Sequence, residues 1–113
     1  MMDQARAARA TEFLIDSAAD LGAAKADAVR ASAMLRHVKS LAMKASGQNS
    51  ISGQEREAYA SPEYLAAIDA EFEAVKRAET LKAKREAAQA TIEFWRSANA
   101  NQRAAERGYG SAR

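Results

Sequence analysis

The chain of 113 residues has no cysteine, one proline, one histidine and five glycines. Without cysteine there is no disulfide, no thiolate zinc site and no sulfur nucleophile, and a reducing compartment is permitted. So few prolines and glycines leave long stretches with nothing to break a helix. The one histidine, His37, stands between Arg36 and Val38, and no serine, aspartate or second histidine sits at a spacing that completes a nucleophilic arrangement. It reads as an ordinary helix-face residue. No apolar run approaches the ~18 residues of a membrane span, and Met1-Met2-Asp3-Gln4 lacks the basic-then-apolar order of a secretory signal. The expectation is a cytoplasmic protein with no membrane partner. A dominant charge is missing too: Lys plus Arg total 17 against 15 for Asp plus Glu, a net +2 that by itself names no ligand.

What is present is a beat of seven. Leu14, Leu21, Ala28, Leu35 and Ala42 recur at heptad spacing, shadowed by Ala10, Ala24, Ala31, Val38 and Ala45. That is a coiled-coil-like seam. A second stripe, Leu65, Ile68, Phe72, Val75, Ala78, Leu81, Ala88, Ile92 and Trp95, keeps spacings of three, four or seven. The predicted fold is all-α: two long antiparallel helices forming a helical hairpin with a short helix in the connection, read as one domain over 1–113. Such an architecture binds more often than it catalyses.

Between the stripes, Ser46-Gly47-Gln48-Asn49-Ser50-Ile51-Ser52-Gly53 stops a helix, because glycine accepts left-handed geometry and Ser and Asn compete for backbone hydrogen bonds. The first helix is predicted over about 3–46. Ser52 with Glu55 fits a capping box and predicts a short helix from Gly53 to Ala60 within the connection, 47–61. Ser61-Pro62-Glu63 supplies an N-cap hydroxyl, a first-turn proline and a first-turn acid, so the second long helix is predicted over about 62–107, ending at Gly108 with a frayed tail to Arg113. Antiparallel pairing sets Arg36, Lys39 and Lys44 beside Asp69, Glu71 and Glu63, and Asp27, Asp20 and Asp16 beside Lys82, Lys84 and Arg85. The signs match at both ends, which selects register more than it adds stability.

The alanines Ala24, Ala28 and Ala31 let backbones approach closely but bury little area. Phe13, Leu14 and Ile15 cannot all face one neighbour, because consecutive residues point about 100° apart. The sequence therefore predicts a homodimer, a four-helix bundle with Phe13, Ile15, Phe94 and Trp95 contributing to the interface.

Chemistry is sparse. Asp69 and Glu73, and Asp16 and Asp20, are four apart and share helix faces, yet the Glu-x-x-His pattern of di-metal bundles is absent and no glycine loop cradles phosphate. No catalytic residue, metal, cofactor or small-molecule substrate is expected. A metal-dependent enzyme centred on Glu73 is the least favoured reading. Basic charge is uneven: Arg6 and Arg9 should lie near Arg96, Arg103, Arg107 and Arg113, with Asn99, Asn101, Gln102 and Tyr109 adding polar and stacking groups. Arg96, Arg103, Arg107, Arg6 and Arg9 are the candidate contacts to a partner protein or to single-stranded DNA. The plain alternative is that arginine near a helix C-terminus complements the macrodipole.

The block Glu55-Arg56-Glu57-Ala58-Tyr59-Ala60-Ser61-Pro62-Glu63-Tyr64, with Leu81-Lys82-Ala83-Lys84-Arg85-Glu86-Ala87-Ala88 and Ile92-Glu93-Phe94-Trp95-Arg96-Ser97, resembles small helical proteins of tailed bacteriophages and prophages, uncharacterised frames often found beside single-strand annealing or recombination genes. The resemblance covers roughly Ser52 to Arg103 and carries no activity or catalytic residues. It implies a phage setting in a bacterial host cell and leaves the mechanism open; the expected function is a non-enzymatic adaptor in phage DNA recombination or replication that docks an apolar and basic end on a DNA-processing protein of phage or host, or on single-stranded DNA. The alternative is an inhibitor of a bacterial defence complex that occludes a nucleic-acid channel with acids such as Glu63, Asp69, Glu71 and Glu73.

Overall fold

The computed structural model describes residues 4–111. It is all-α: α1 spans Gln4–Ala45, α2 spans Ile51–Tyr59 and α3 spans Pro62–Ser111, with no strand among the described residues. Two long helices joined through a short one is the predicted arrangement, and each long helix is continuous. One end differs, because α3 runs through Gly108 to Ser111 where fraying is predicted. A glycine inside a helix costs about 1 kcal/mol relative to alanine, and without a proline after it or a left-handed backbone at it that is too little to stop a long helix. Asp3, Ala112 and Arg113, and the side chain of Tyr109, lie outside the described residues. The chain divides into two units, Leu21–Thr80 around the connection and Met1–Asp20 with Leu81–Arg113 around the termini.

In the connection unit, α1 closes on a left-handed Gly47 at φ 73°, with the Ser46 amide turned back to the Met43 carbonyl at 3.2 Å. The N-cap of α2 is Ser50, not the predicted Ser52: its backbone is extended and its Oγ accepts from the Gly53 amide at 3.0 Å. Gly53 belongs there for steric reasons, since a Cβ at that position would stand 2.9 Å from Ser50 Oγ. Glu55 is left free of capping and pairs instead with Lys39 across to α1 at 3.6 Å. The start of α3 is as predicted. Ser61 Oγ accepts from the Tyr64 amide at 3.2 Å and donates to the Ala58 carbonyl at 2.7 Å, over a fully buried Ala58.

Packing of α1 in this unit uses the predicted seam: Leu21, Ala24, Ala28, Ala31, Leu35, Val38 and Ala42 are buried or half-buried, while Ala45 is exposed. On α3 the buried line is Tyr64, Ala67, Glu71, Ala74 and Ala78, spaced strictly three and four. The predicted stripe Leu65, Ile68, Phe72 and Val75 lies one residue further round the helix and faces outward. Ala24, Ala28 and Ala31 explain the exchange. The buried positions of both lines, Ala24 on α1 and Ala74 and Ala78 on α3, carry small side chains, so little large apolar surface is buried between them.

In the terminal unit the seam is Ala7, Ala10, Leu14 and Ser17 on α1 with Leu81, Arg85, Ala88, Ile92 and Trp95 on α3. Arg85 occupies a core position. Its Nη1 donates to the Leu14 carbonyl at 2.6 Å and to Ser17 Oγ at 2.7 Å, and Ser17, only 4% exposed, donates in turn to the Phe13 carbonyl at 2.6 Å. The pairing of Arg85 with an aspartate does not form. A guanidinium directed into the seam meets helix carbonyl and hydroxyl there, whereas Asp16 and Asp20 stand on the exposed side of α1. Past Asn99 every described side chain to Gly108 is exposed.

Candidate interaction surface

Heptad position sorts the surface. In the connection unit, a groove of about 500 Å³ is lined from α1 by Asp27, Arg30, Ala31, Met34 and Val38 and from α3 by Glu63, Ala66, Ala67 and Ala70. The Asp27–Val38 stretch of α1 thus lies beside the Glu63–Ala70 stretch of α3. The positions just before each seam residue make this grooved side. The positions just after, Val29 on α1 and Leu65, Ile68, Phe72 and Val75 on α3, make the opposite side, because antiparallel helices turn the same heptad position to the same face.

That second side is apolar without being covered. Phe72 is 63% exposed, Leu65 59% and Val29 72%, with Ile68 and Val75 also open. By contrast, among the described residues the buried side chains are alanines and Ser17, and no large side chain is fully buried. Past Val75 the same positions of α3 carry charge, beginning with Glu79, so the apolar patch has a definite end. Its margins are charged as well. Lys25 and Arg36 stand on the α1 side and Asp69, Lys76 and Glu79 on the α3 side; none of the five makes an ion pair within the chain among the described residues.

Lys39 and Tyr59 close one end of this unit. Lys39 Nζ sits 4.6 Å over the Tyr59 ring, and Tyr59 meets Tyr64 edge-on at 5.2 Å. The hydrogen bond to Tyr59 holds the Lys39 ammonium above its ordinary pKa of 10.5; partial desolvation opposes this and the Glu55 carboxylate adds to it.

The predicted site residues fall in the terminal unit and do not form one patch. Ile15 is 71% exposed and Phe94 is also open, while Phe13 and Trp95 are half-buried, Trp95 within the seam. Heptad position turns Ile15 to the other side from Phe13 and Phe94. The arginines divide likewise: Arg96, Arg103 and Arg107 share one face of α3, whereas Arg6 and Arg9 turn to the opposite side on α1. Arg96 is occupied by Glu93 at 3.0 Å. Of the four acids weighed for mimicry of nucleic acid, Glu71 is half-buried in the seam and Glu63 lines the groove, so they too lack a common face. Sequence reasoning missed the outward patch as a surface. The signal was there in two successive spacings of three, Phe72 to Val75 to Ala78, which no single seam sustains.

Among the described residues no helix is long and apolar enough to cross a membrane, and no group of three or more His, Asp or Glu is placed to hold a metal ion. The chain matches no family model, no curated protein and no solved structure.

Proposed function

We propose that this chain is a non-enzymatic helical adaptor that docks on a partner protein, with single-stranded DNA as a further ligand, in phage DNA recombination or replication, and that two copies join as a four-helix bundle. The observation that carries the reading is the distribution of side-chain size: among the described residues the buried apolar side chains are alanines, while Leu65, Ile68, Phe72 and Val75 stand in water. Contiguous apolar surface of this kind marks an interaction site. The arginine face of Arg96, Arg103 and Arg107 on α3 supports contact with phosphates, since such groups bind a backbone without reading sequence. The phage setting rests on the resemblance of the Glu55–Tyr64, Leu81–Ala88 and Ile92–Ser97 blocks.

Affinity capture from phage-infected lysate, with wild-type and Phe72→Ser baits and a nuclease-treated arm, tests the reading. Expected is a recombination or replication protein retained by wild type and lost by the variant. Nuclease sensitivity would add direct DNA contact. A host defence complex recovered regardless of nuclease would replace the adaptor with the inhibitor alternative, and identical recoveries from both baits would refute the role of the apolar patch.

A further inference from the structure

We propose that the grooved side of the connection unit, opposite Leu65 and Phe72, is the seat of a partner protein's amphipathic helix that brings lysine or arginine to Glu57 and Glu63. The proposal goes beyond the adaptor reading and uses none of the apolar patch on which that reading rests.

The groove continues past the stretch already described. Where it meets the connection, a hollow of about 450 Å³ has Val38, Leu41 and Ala45 of α1 as its floor. Glu57 of α2, with Ser46, Ser61 and Glu63, makes its polar wall. Val38 and Glu63 also line the 500 Å³ stretch, so the groove runs without a break from Asp27 to Ala45, about 27 Å at 1.5 Å per residue.

Hydrogen-bonding capacity in the hollow selects a cation. The carboxylates of Glu57 and Glu63 have no proton to give. Ser46 Oγ already donates to the Met43 carbonyl at 2.8 Å, and Ser61 Oγ to the Ala58 carbonyl at 2.7 Å. Every polar side chain of the hollow is therefore left as an acceptor, and an occupant must supply donors. Glu57 accepts one bond from Gln48 Nε2 at 2.9 Å, while Glu63 makes no ion pair among the described residues. The hollow lies at the C-terminal end of α1, the negative end of its macrodipole.

The bases of the neighbouring elements turn elsewhere. Lys39 is held by Glu55 and Tyr59. Arg56 stands on the solvent side of α2, away from buried Ala58, and His37 and Lys44 lie roughly 70–90° further round α1 than the floor. Toward the other end of the groove the signs balance: Asp27 and Arg30 both line it, and Glu73 and Arg77 continue the α3 side. Net acidity is confined to the connection end, which orients the incoming helix with its basic residues there.

The floor selects a helix over a small cation. Met34, Val38, Leu41 and Ala45 recur at spacings of four, three and four, with Met34 42% and Leu41 53% exposed. Across from them Ala66, Ala67 and Ala70 leave room for large side chains. An apolar groove of this kind takes a helix by anchors at i, i+4 and i+7, and methionine adapts to their shape. A polyamine or a metal ion would engage the acids and leave this floor bare.

The test titrates purified full chain into a fluorescein-labelled helical peptide of leucine and lysine, roughly five turns long, and reads anisotropy. Two control peptides replace every lysine by glutamate or every leucine by serine. The leucine–lysine peptide should bind one-to-one and both controls at least about tenfold more weakly. Glu57→Gln combined with Glu63→Gln should weaken binding about tenfold, and Leu41→Lys by at least as much. Phe72→Ser should leave it within a few-fold. Circular dichroism and urea unfolding check that each variant folds, and amide shifts in ¹⁵N spectra should concentrate at residues 38–45 and 57–63. Absence of binding, equal binding of the serine control, retention by the glutamine double variant, or shifts centred on Leu65 and Phe72 would each overturn the proposal.

Discussion

Removing the Arg85 side chain tests whether a polar contact sets the register of the terminal unit. Arg85 is half-buried and donates to the Leu14 carbonyl at 2.6 Å and to Ser17 Oγ at 2.7 Å. Hydrogen bonds from a charged donor are worth roughly 1.5–3 kcal/mol before partial exposure is discounted, so Arg85→Ala should destabilise by about 2 kcal/mol. Little is orphaned by the change, because Ser17 still donates to the Phe13 carbonyl at 2.6 Å. Arg85→Met keeps an unbranched apolar stem in the seam and removes the cost of desolvating a charge, so it should fall within about 1 kcal/mol of wild type. Ser17→Ala alone should cost about 1 kcal/mol, and the double variant with Arg85→Ala should recover a coupling near 1 kcal/mol. Urea unfolding followed at 222 nm, all variants at one protein concentration, supplies the four free energies. Additivity to within about 0.3 kcal/mol would refute the direct contact between Ser17 and Arg85. A loss for Arg85→Met as large as for Arg85→Ala would show that the charge itself, not the packed stem, holds the seam.

Ala74→Leu forces a large side chain into a buried alanine position, Ala74 being 8% exposed, and should cost ~1–3 kcal/mol, read as a fall in the urea midpoint at unchanged slope. Trp95→Ala should cost about 2 kcal/mol, less than for a fully buried indole because Trp95 is half-buried; a loss below about 0.5 kcal/mol would place the ring outside the seam. Arg103→Ala should leave stability within about 0.5 kcal/mol and lower the salt dependence of binding to an oligonucleotide by about one unit of slope. Lys39 is held above its ordinary value of 10.5, so its contribution is fully present below that value and is lost as pH rises through the raised one. The alkaline limb of stability should therefore shift in Lys39→Met, and superimposable wild-type and variant curves above pH 10.5 would remove Lys39 from the account.

The seam of α1 was legible because its larger members, Leu14, Leu21, Leu35 and Val38, agree with its alanines about which face is inward. On α3 the two criteria part. From Leu81 onward, Leu81, Ala88, Ile92 and Trp95 are apolar and inward together, but from Tyr64 to Val75 the larger residues mark one face and the small ones another. Hydrophobic periodicity follows size, and what closes against Ala24, Ala28 and Ala31 is smallness. The cap at Ser61 could be read from Ser-Pro-Glu because proline permits few positions. The cap at Ser50 could not be separated from Ser52, since both are followed by suitable amides and only the space at Gly53 decides between them. Arg85 was read as a surface ion pair because nothing in the local sequence marks a guanidinium as a core residue.

The contacts that join the two long helices differ greatly in how much chain they enclose. Lys39 reaches Glu55 across a short loop that α2 and its caps already constrain, whereas Arg85 reaches Ser17 over a separation of 68 residues. Closing a loop costs about 0.6 kcal/mol for each doubling of its length, and an alanine seam returns little free energy per layer. Pairing that starts at the connection lets each layer shorten the loop that the next must close. On loop closure alone, pairing should therefore spread from Ser61 and Lys39 toward the termini, with the Arg85 contact joining the first layer of the terminal seam before Ala10 and Ala7 meet Ala88, Ile92 and Trp95.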